Sequence, residues 1–136
     1  MKFCIENHIN QIPIALGKIH SFTTSYVPVQ EDLHFLKIVL DEALSNIIKY
    51  AYPNNETKLI ELETKLENNQ IIIQITDDGR PFNPLTEFNF KPISNPKNPD
   101  EGGMGIHLMK NLVDRLEYQF VANKNVLIIK KTITKV

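Results

Sequence analysis

Apolar residues recur at helical spacing over the first fifty positions and at strand spacing over much of the remainder. From Gln11 to about Tyr26, Ile12, Leu16, Ile19 and Phe22 share one helical face, and Pro13 suits a first turn. Val27 and Pro28 close that element. A longer stripe, Leu33, Leu36, Leu40, Ala43, Leu44, Ile47 and Ala51, predicts a second helix from about Glu31 to Tyr50. Glu31 and Asp32 sit where its dipole favours negative charge, and Pro53 with Asn54 and Asn55 ends it. Ahead of both helices, residues 2–8 alternate weakly, as a short strand would. Two further strands are predicted over Lys58–Leu66 and Gln70–Thr76, joined at Asn68-Asn69, because asparagine tolerates the positive φ of a tight hairpin. Residues 77–103 break every periodicity and hold five of the eight prolines. A stretch of that length and composition reads as a functional lid, over about 84–101. Ile106, Leu108, Met109, Leu112 and Val113 predict a third helix over Gly105–Asp114. A closing hairpin, Leu116–Ala122 and Val126–Ile133, is expected to turn at Asn123-Lys124-Asn125. There are no repeats and no heptads. Three helices and about five strands predict an α+β two-layer sandwich, helices on one face of a mixed, mainly antiparallel sheet.

Composition narrows the class. At 136 residues the chain makes one domain, and a domain of this size buries roughly two-thirds of its unfolded surface. With 42% hydrophobic residues and a single cysteine, Cys4, it needs no disulfide framework. Fifteen basic residues against sixteen acidic ones give a net charge of −1, which leaves no electrostatic footprint for wrapping nucleic acid. No apolar run approaches the ~20 residues of a membrane span. The first residues are interrupted by Glu6, Asn10, Gln11 and Pro13, so no signal-peptide core is expected. The expectation is a single cytoplasmic domain over residues 1–136. His8, His20, His34 and His107 show no paired metal spacing, and Cys4 reads as a packing residue. Phe88 and Phe90 read as anchors of the lid.

Three segments carry candidate chemistry. Glu42 and Asn46 lie four apart on the second helix, so they project from one face, one turn apart. A carboxylate beside a carboxamide suits a magnesium-bound phosphate and an oriented nucleophile; the same spacing is common on solvated helices. Asp77-Asp78-Gly79-Arg80-Pro81-Phe82 comes directly after a strand. An acid there can accept a hydrogen bond from a ligand, and Gly79 lets the backbone come close; Asp-Gly and Pro also make ordinary turns. Gly102, Gly103 and Gly105 open the third helix, where bare amides and the dipole attract phosphate. No Gly-Lys-Ser/Thr is present there, so this is not a Walker loop.

Together and in this order, the three segments resemble the Bergerat-fold ATP-binding domain shared by gyrase, a heat-shock chaperone, histidine kinases and MutL. Asp41-Glu42-Ala43-Leu44-Ser45-Asn46-Ile47-Ile48-Lys49-Tyr50-Ala51-Tyr52 is similar to that family's N box. Asp77 to Pro84 resembles its first glycine box in a Pro-Phe variant, and Gly102 to Met109 with Val113-Asp114 its second. The compact branch matched is that of the bacterial anti-sigma-factor serine/threonine kinases, over nearly the whole chain. The resemblance implies that Asn46 ligands Mg²⁺ and that Glu42 is general base or orients the attacking hydroxyl. It implies that Asp77 accepts the adenine amine and that Gly79 brings backbone near the base. Gly103, Met104 and Gly105 would cradle the phosphates of ATP. The implied activity is transfer of the γ-phosphoryl to a serine of an anti-sigma-factor antagonist, with sequestration of a sigma factor, usually as a homodimer. Two positions depart from the pattern: Ile128 stands where many relatives have threonine, so a polar contact near adenine is expected to be missing, and Asn83 stands where many have aspartate. The competing readings are a non-catalytic ATP-gated binding module, against which Glu42 counts, and a stand-alone histidine-kinase-like catalytic domain.

Overall fold

The computed structural model describes residues 1–25, 30–83 and 112–133. In chain order these form β1 (Lys2–Glu6), a 3₁₀ turn (Ile9–Gln11), α1 (Ile12–Thr24), α2 (Gln30–Tyr50), β2 (Leu59–Glu67), β3 (Gln70–Asp77), β4 (Arg115–Val121) and β5 (Lys124–Thr132). The five strands make one sheet in the order β1-β2-β3-β5-β4, and every described pairing is antiparallel. β5 lies between β3 and β4, so β4 runs in the same direction as β3. The expected α+β sandwich is present, with two α-helices among the described residues. The lid at 84–101 and nearly all of the predicted third helix, including its glycines, lie outside the described residues.

The elements form where the pattern places them. In α2 the stripe Leu33, Leu36, Leu40, Ala43, Leu44 and Ile47 is buried, joined by Val39, with Glu31 and Asp32 in the first turn and Lys49 in the last. In α1, Pro13 occupies the first turn. The buried Thr23 hydroxyl donates to the Ile19 carbonyl at 2.8 Å and so disposes of its own polarity. β3 alternates strictly: Ile71, Ile73, Ile75 and Asp77 face inward and the residues between them are half-exposed. Ile60 and Leu62 of β2 and Leu127 and Ile129 of β5 present the same face, and one hydrophobic cluster joins them to both helices.

Strand ends depart from expectation for physical reasons. β1 stops at Glu6 because Asn7 turns its side chain to the 56–58 segment, donating to the Glu56 carbonyl and accepting from the Lys58 N–H. Asn68 and Asn69 form the β2–β3 loop, both at positive φ, as expected. The β4–β5 loop is Ala122-Asn123, at φ 52° and 60°, not Asn123-Lys124-Asn125. A two-residue loop of that handedness matches strand twist, and closing it there delivers Asn125 to β5.

Candidate functional site

Asp77 ends β3 on the inward face and is only 3% exposed. Directly across the sheet from it is Asn125, likewise buried. Asn125 Nδ2 donates to Asp77 Oδ1 at 3.0 Å, and the Gly79 N–H donates to the same oxygen at 2.9 Å. Among the described residues no hydrogen bond reaches Oδ2. The carboxylate is therefore gripped by one oxygen and offers the other. Burial pushes its pKa above the ordinary value; the bonds from Asn125 and Gly79 pull it down, and neighbouring Asp78 adds to the rise.

The residues after Asp77 are tied at both ends. A helix C-terminus leaves carbonyls without partners, and Arg80 supplies two: its N–H donates to Ala51 O at 2.8 Å and its Nε to Tyr50 O at 2.7 Å. On the other side, Asn125 Nδ2 also reaches Gly79 O at 3.3 Å and Arg80 O at 2.9 Å, while its Oδ1 accepts from the Phe82 N–H at 3.0 Å and from the Tyr118 hydroxyl. Phe82 is buried and stacks on Tyr50 with ring centroids 5.6 Å apart. These bonds run outward to α2 and β5, so the segment is a fixed bridge between helix and sheet. Gly79 is required for the approach: a Cβ there would stand 2.4 Å from Ala51 O and 2.8 Å from Ala51 Cβ. Because the first obstacle is backbone, Gly79→Ala is expected to destabilise the fold by about 1–3 kcal/mol. Guanidinium unfolding measures it, and an unchanged midpoint would contradict this packing.

Asn46, on α2, is brought to the same place. It is buried, its Nδ2 has no hydrogen-bond partner among the described residues, and it lines a small cavity with Asp77, Phe82, Tyr118 and Asn125. The cavity holds about 10 Å³, room for one water. A buried amide without a partner costs about 1–3 kcal/mol, a cost tolerated where a ligand supplies the partner. Glu42 lies one turn earlier on α2 and is half-buried. Tyr52 adds a buried hydroxyl beside Asp77 and Asp78; burial and these two charges push its pKa well above the ordinary phenol value, against a smaller pull from the Asp78 backbone. The donor set, though not the water-sized cavity itself, suits a nucleotide carrying a metal ion: the Asn46 amide oxygen is a hard ligand, and the open Asp77 oxygen accepts an amine. Gly103, Met104 and Gly105 lie outside the described residues. A larger groove between α1 and α2, lined by Leu16, His20, Leu33 and Lys37, contains none of the predicted site residues.

Two readings from sequence are corrected here. Ile128 pairs with Gln74 on the sheet face opposite Asp77, so its side chain does not bear on that carboxylate. The polar residue of β5 that does is Asn125, which the sequence offered only as a turn residue. Its signal was the alternation Asn125-Leu127-Ile129, which mirrors Ile73-Ile75-Asp77 in the antiparallel partner.

Burial of a carboxylate has a pH signature. Since the folded-state pKa of Asp77 lies above the unfolded value of 3.8, its contribution to stability is full below that value and is lost as pH rises through the raised one. Asp77→Asn removes that loss while its amide oxygen keeps the bonds from Gly79 and Asn125. The variant is expected to melt above wild type at pH 7, with the gap closing as pH falls toward about 4. Thermal melts at the two pH values measure it; a lower melting point at pH 7 would contradict it.

The family model described as histidine kinase-like ATPase domain matches residues 5–131. An anti-sigma F factor of Clostridium perfringens is 27% identical over 113 residues, covering 83% of this chain and 81% of that protein. An anti-sigma F factor of a Geobacillus strain is 25% identical over 118 residues, 86% of this chain and 81% of its own length. The serine-protein kinase RsbW of Staphylococcus epidermidis is 33% identical over 91 residues, 63% of this chain and 57% of that one. Among solved structures, the histidine kinase domain of a blue-light activated kinase from Erythrobacter litoralis aligns with a TM-score of 0.59 at 16% identity. That alignment covers 90% of this chain and 61% of the kinase domain, a likeness of fold.

Proposed function

The chain belongs to the histidine kinase-like ATPase domain family, and on that premise we propose that it is an ATP-dependent serine/threonine protein kinase of the anti-sigma-factor type. Its substrate is a serine on a small anti-sigma-factor antagonist, and it sequesters a sigma factor, as a homodimer in the cytoplasm. The observation that carries the reading is the meeting of two groups on one cavity: Asp77, with one carboxylate oxygen open, and the buried carboxamide of Asn46. The names of the relatives, anti-sigma F factor and serine-protein kinase, support a sigma factor as partner and a serine as acceptor.

In this reading Asp77 Oδ2 accepts the adenine amine, and Asn46 Oδ1 ligands Mg²⁺. Gly103, Met104 and Gly105 offer backbone amides to the phosphates. Bound Mg²⁺ supplies charge neutralisation at the phosphate oxygens. Glu42 would orient the serine hydroxyl and take its proton as the oxygen bonds to the γ-phosphorus. The bond from that phosphorus to the β-γ bridging oxygen breaks, and ADP leaves with that oxygen.

The test is capture of partners from a lysate of the source cells with and without Mg-ATP, followed by mass spectrometry. Phosphoserine on a small captured protein, formed only with ATP, is the expected result. A partner that binds in an ATP-dependent way and is never phosphorylated would replace the kinase by an ATP-gated binding module.

A further inference from the structure

We propose that Asn125 is a positioning residue that sets purine specificity: it holds the Asp77 carboxylate so that Oδ2 alone faces the base. The proposal rests on the reading of Asp77 as the adenine acceptor and adds to it the residue that makes that acceptor rigid.

The geometry leaves Asn125 one orientation. Its Oδ1 receives two donors, the Phe82 N–H at 3.0 Å and the Tyr118 hydroxyl. Its Nδ2 faces three acceptors, Asp77 Oδ1, Gly79 O and Arg80 O, at 3.0, 3.3 and 2.9 Å. Rotating the amide by half a turn would set its oxygen against three oxygens and its nitrogen against the Phe82 N–H, so the network fixes it. A carboxylate attached to a strand end can swing about its side-chain bonds. Here Gly79 and Asn125 both hold Oδ1, from the loop and from the neighbouring strand. Asn125 ties the Gly79–Phe82 bridge to β5 as well, so without it both holds on Asp77 are weakened. A freely turning carboxylate can let guanine displace it or admit water between itself and the base. A fixed one cannot, and the mismatch is then felt in full.

The experiment compares ATP with purine riboside triphosphate, which lacks only the exocyclic amine, by calorimetric titration of the intact protein. For wild type, ATP is expected to bind more tightly by roughly 10²-fold or more. In Asn125→Ala the ratio is expected to drop at least tenfold while affinity for the amine-free analogue changes little. A merely structural role would lower both affinities together and leave the ratio unchanged, which would overturn the proposal. If Asn125→Ala does not fold, Asn125→Leu decides. It keeps the branched shape and removes the donor to Asp77, so the ratio should again collapse; an unchanged ratio overturns the proposal. A wild-type ratio near one is a different failure: it would remove the adenine reading of Asp77 itself, and with it this inference.

Discussion

ATP is expected to bind this protein far more tightly than GTP, by up to ~10⁴-fold. Adenine presents an amine donor where guanine presents a carbonyl oxygen. Asp77 is 3% exposed, its Oδ1 is already occupied by Gly79 and Asn125, and in the proposed reading its Oδ2 meets the base. Guanine would bring one acceptor against another in a site with little water to intervene, which is why the factor is large. The Asp77→Asn variant sharpens the expectation. Its amide oxygen must take the Oδ1 position to keep two N–H donors, so its NH₂ is turned toward the base. That group repels an amine and welcomes a carbonyl, so the ATP-to-GTP ratio should fall to about one or invert. Calorimetric titration of both nucleotides against both proteins measures it. Equal affinities in wild type would dissociate Asp77 from the base.

Legibility in the sequence depends on which forces are local. The α2 stripe and the alternation of β3 are local periodicities enforced by a shared core, so both elements could be read from the chain. β3 runs one residue beyond the expected Thr76, and Asp77, as its last residue, keeps the strand's parity and faces inward. Asn125 was hidden by turn chemistry: Asn-Lys-Asn looks like a loop, whereas the loop is made by Ala122 and Asn123, and an alanine at positive φ is not a residue that propensity would choose. Arg80 was hidden by distance. It caps the end of α2 from thirty residues away, and a long-range cap leaves no local pattern. The long-range register of β5 against β3, fixed by their shared core face, is what carried Asn125 to Asp77. The polar half of the site is a consequence of sheet assembly, while its acid and its helix-borne amide are visible one segment at a time.

Glu42 and Asn46 are expected to fail in different ways although they share a helix face. Asn46 is buried with an amide nitrogen that has no partner among the described residues, and in the proposed reading its amide oxygen meets the metal ion. Asn46→Ala should weaken Mg-ATP binding and phosphoryl transfer together, because ground state and transition state both use the metal. The substitution also removes a buried polar atom that lacks a partner, so stability should hold or rise. Glu42 is half-buried one turn earlier and does not line the cavity with Asp77. Glu42→Ala should leave nucleotide affinity nearly intact and lower transfer by roughly 10²–10⁴, the scale of a lost general base. A drop nearer the lower end points to orientation of the hydroxyl over proton removal, since phosphoryl transfer depends chiefly on positioning and charge neutralisation. Single-turnover phosphorylation of the captured partner, beside nucleotide titration of the same variants, separates the two effects. Transfer at the wild-type rate in Glu42→Ala would take the catalytic role away from Glu42, because a helix residue that neither binds nucleotide nor handles the hydroxyl has no remaining part in the reaction.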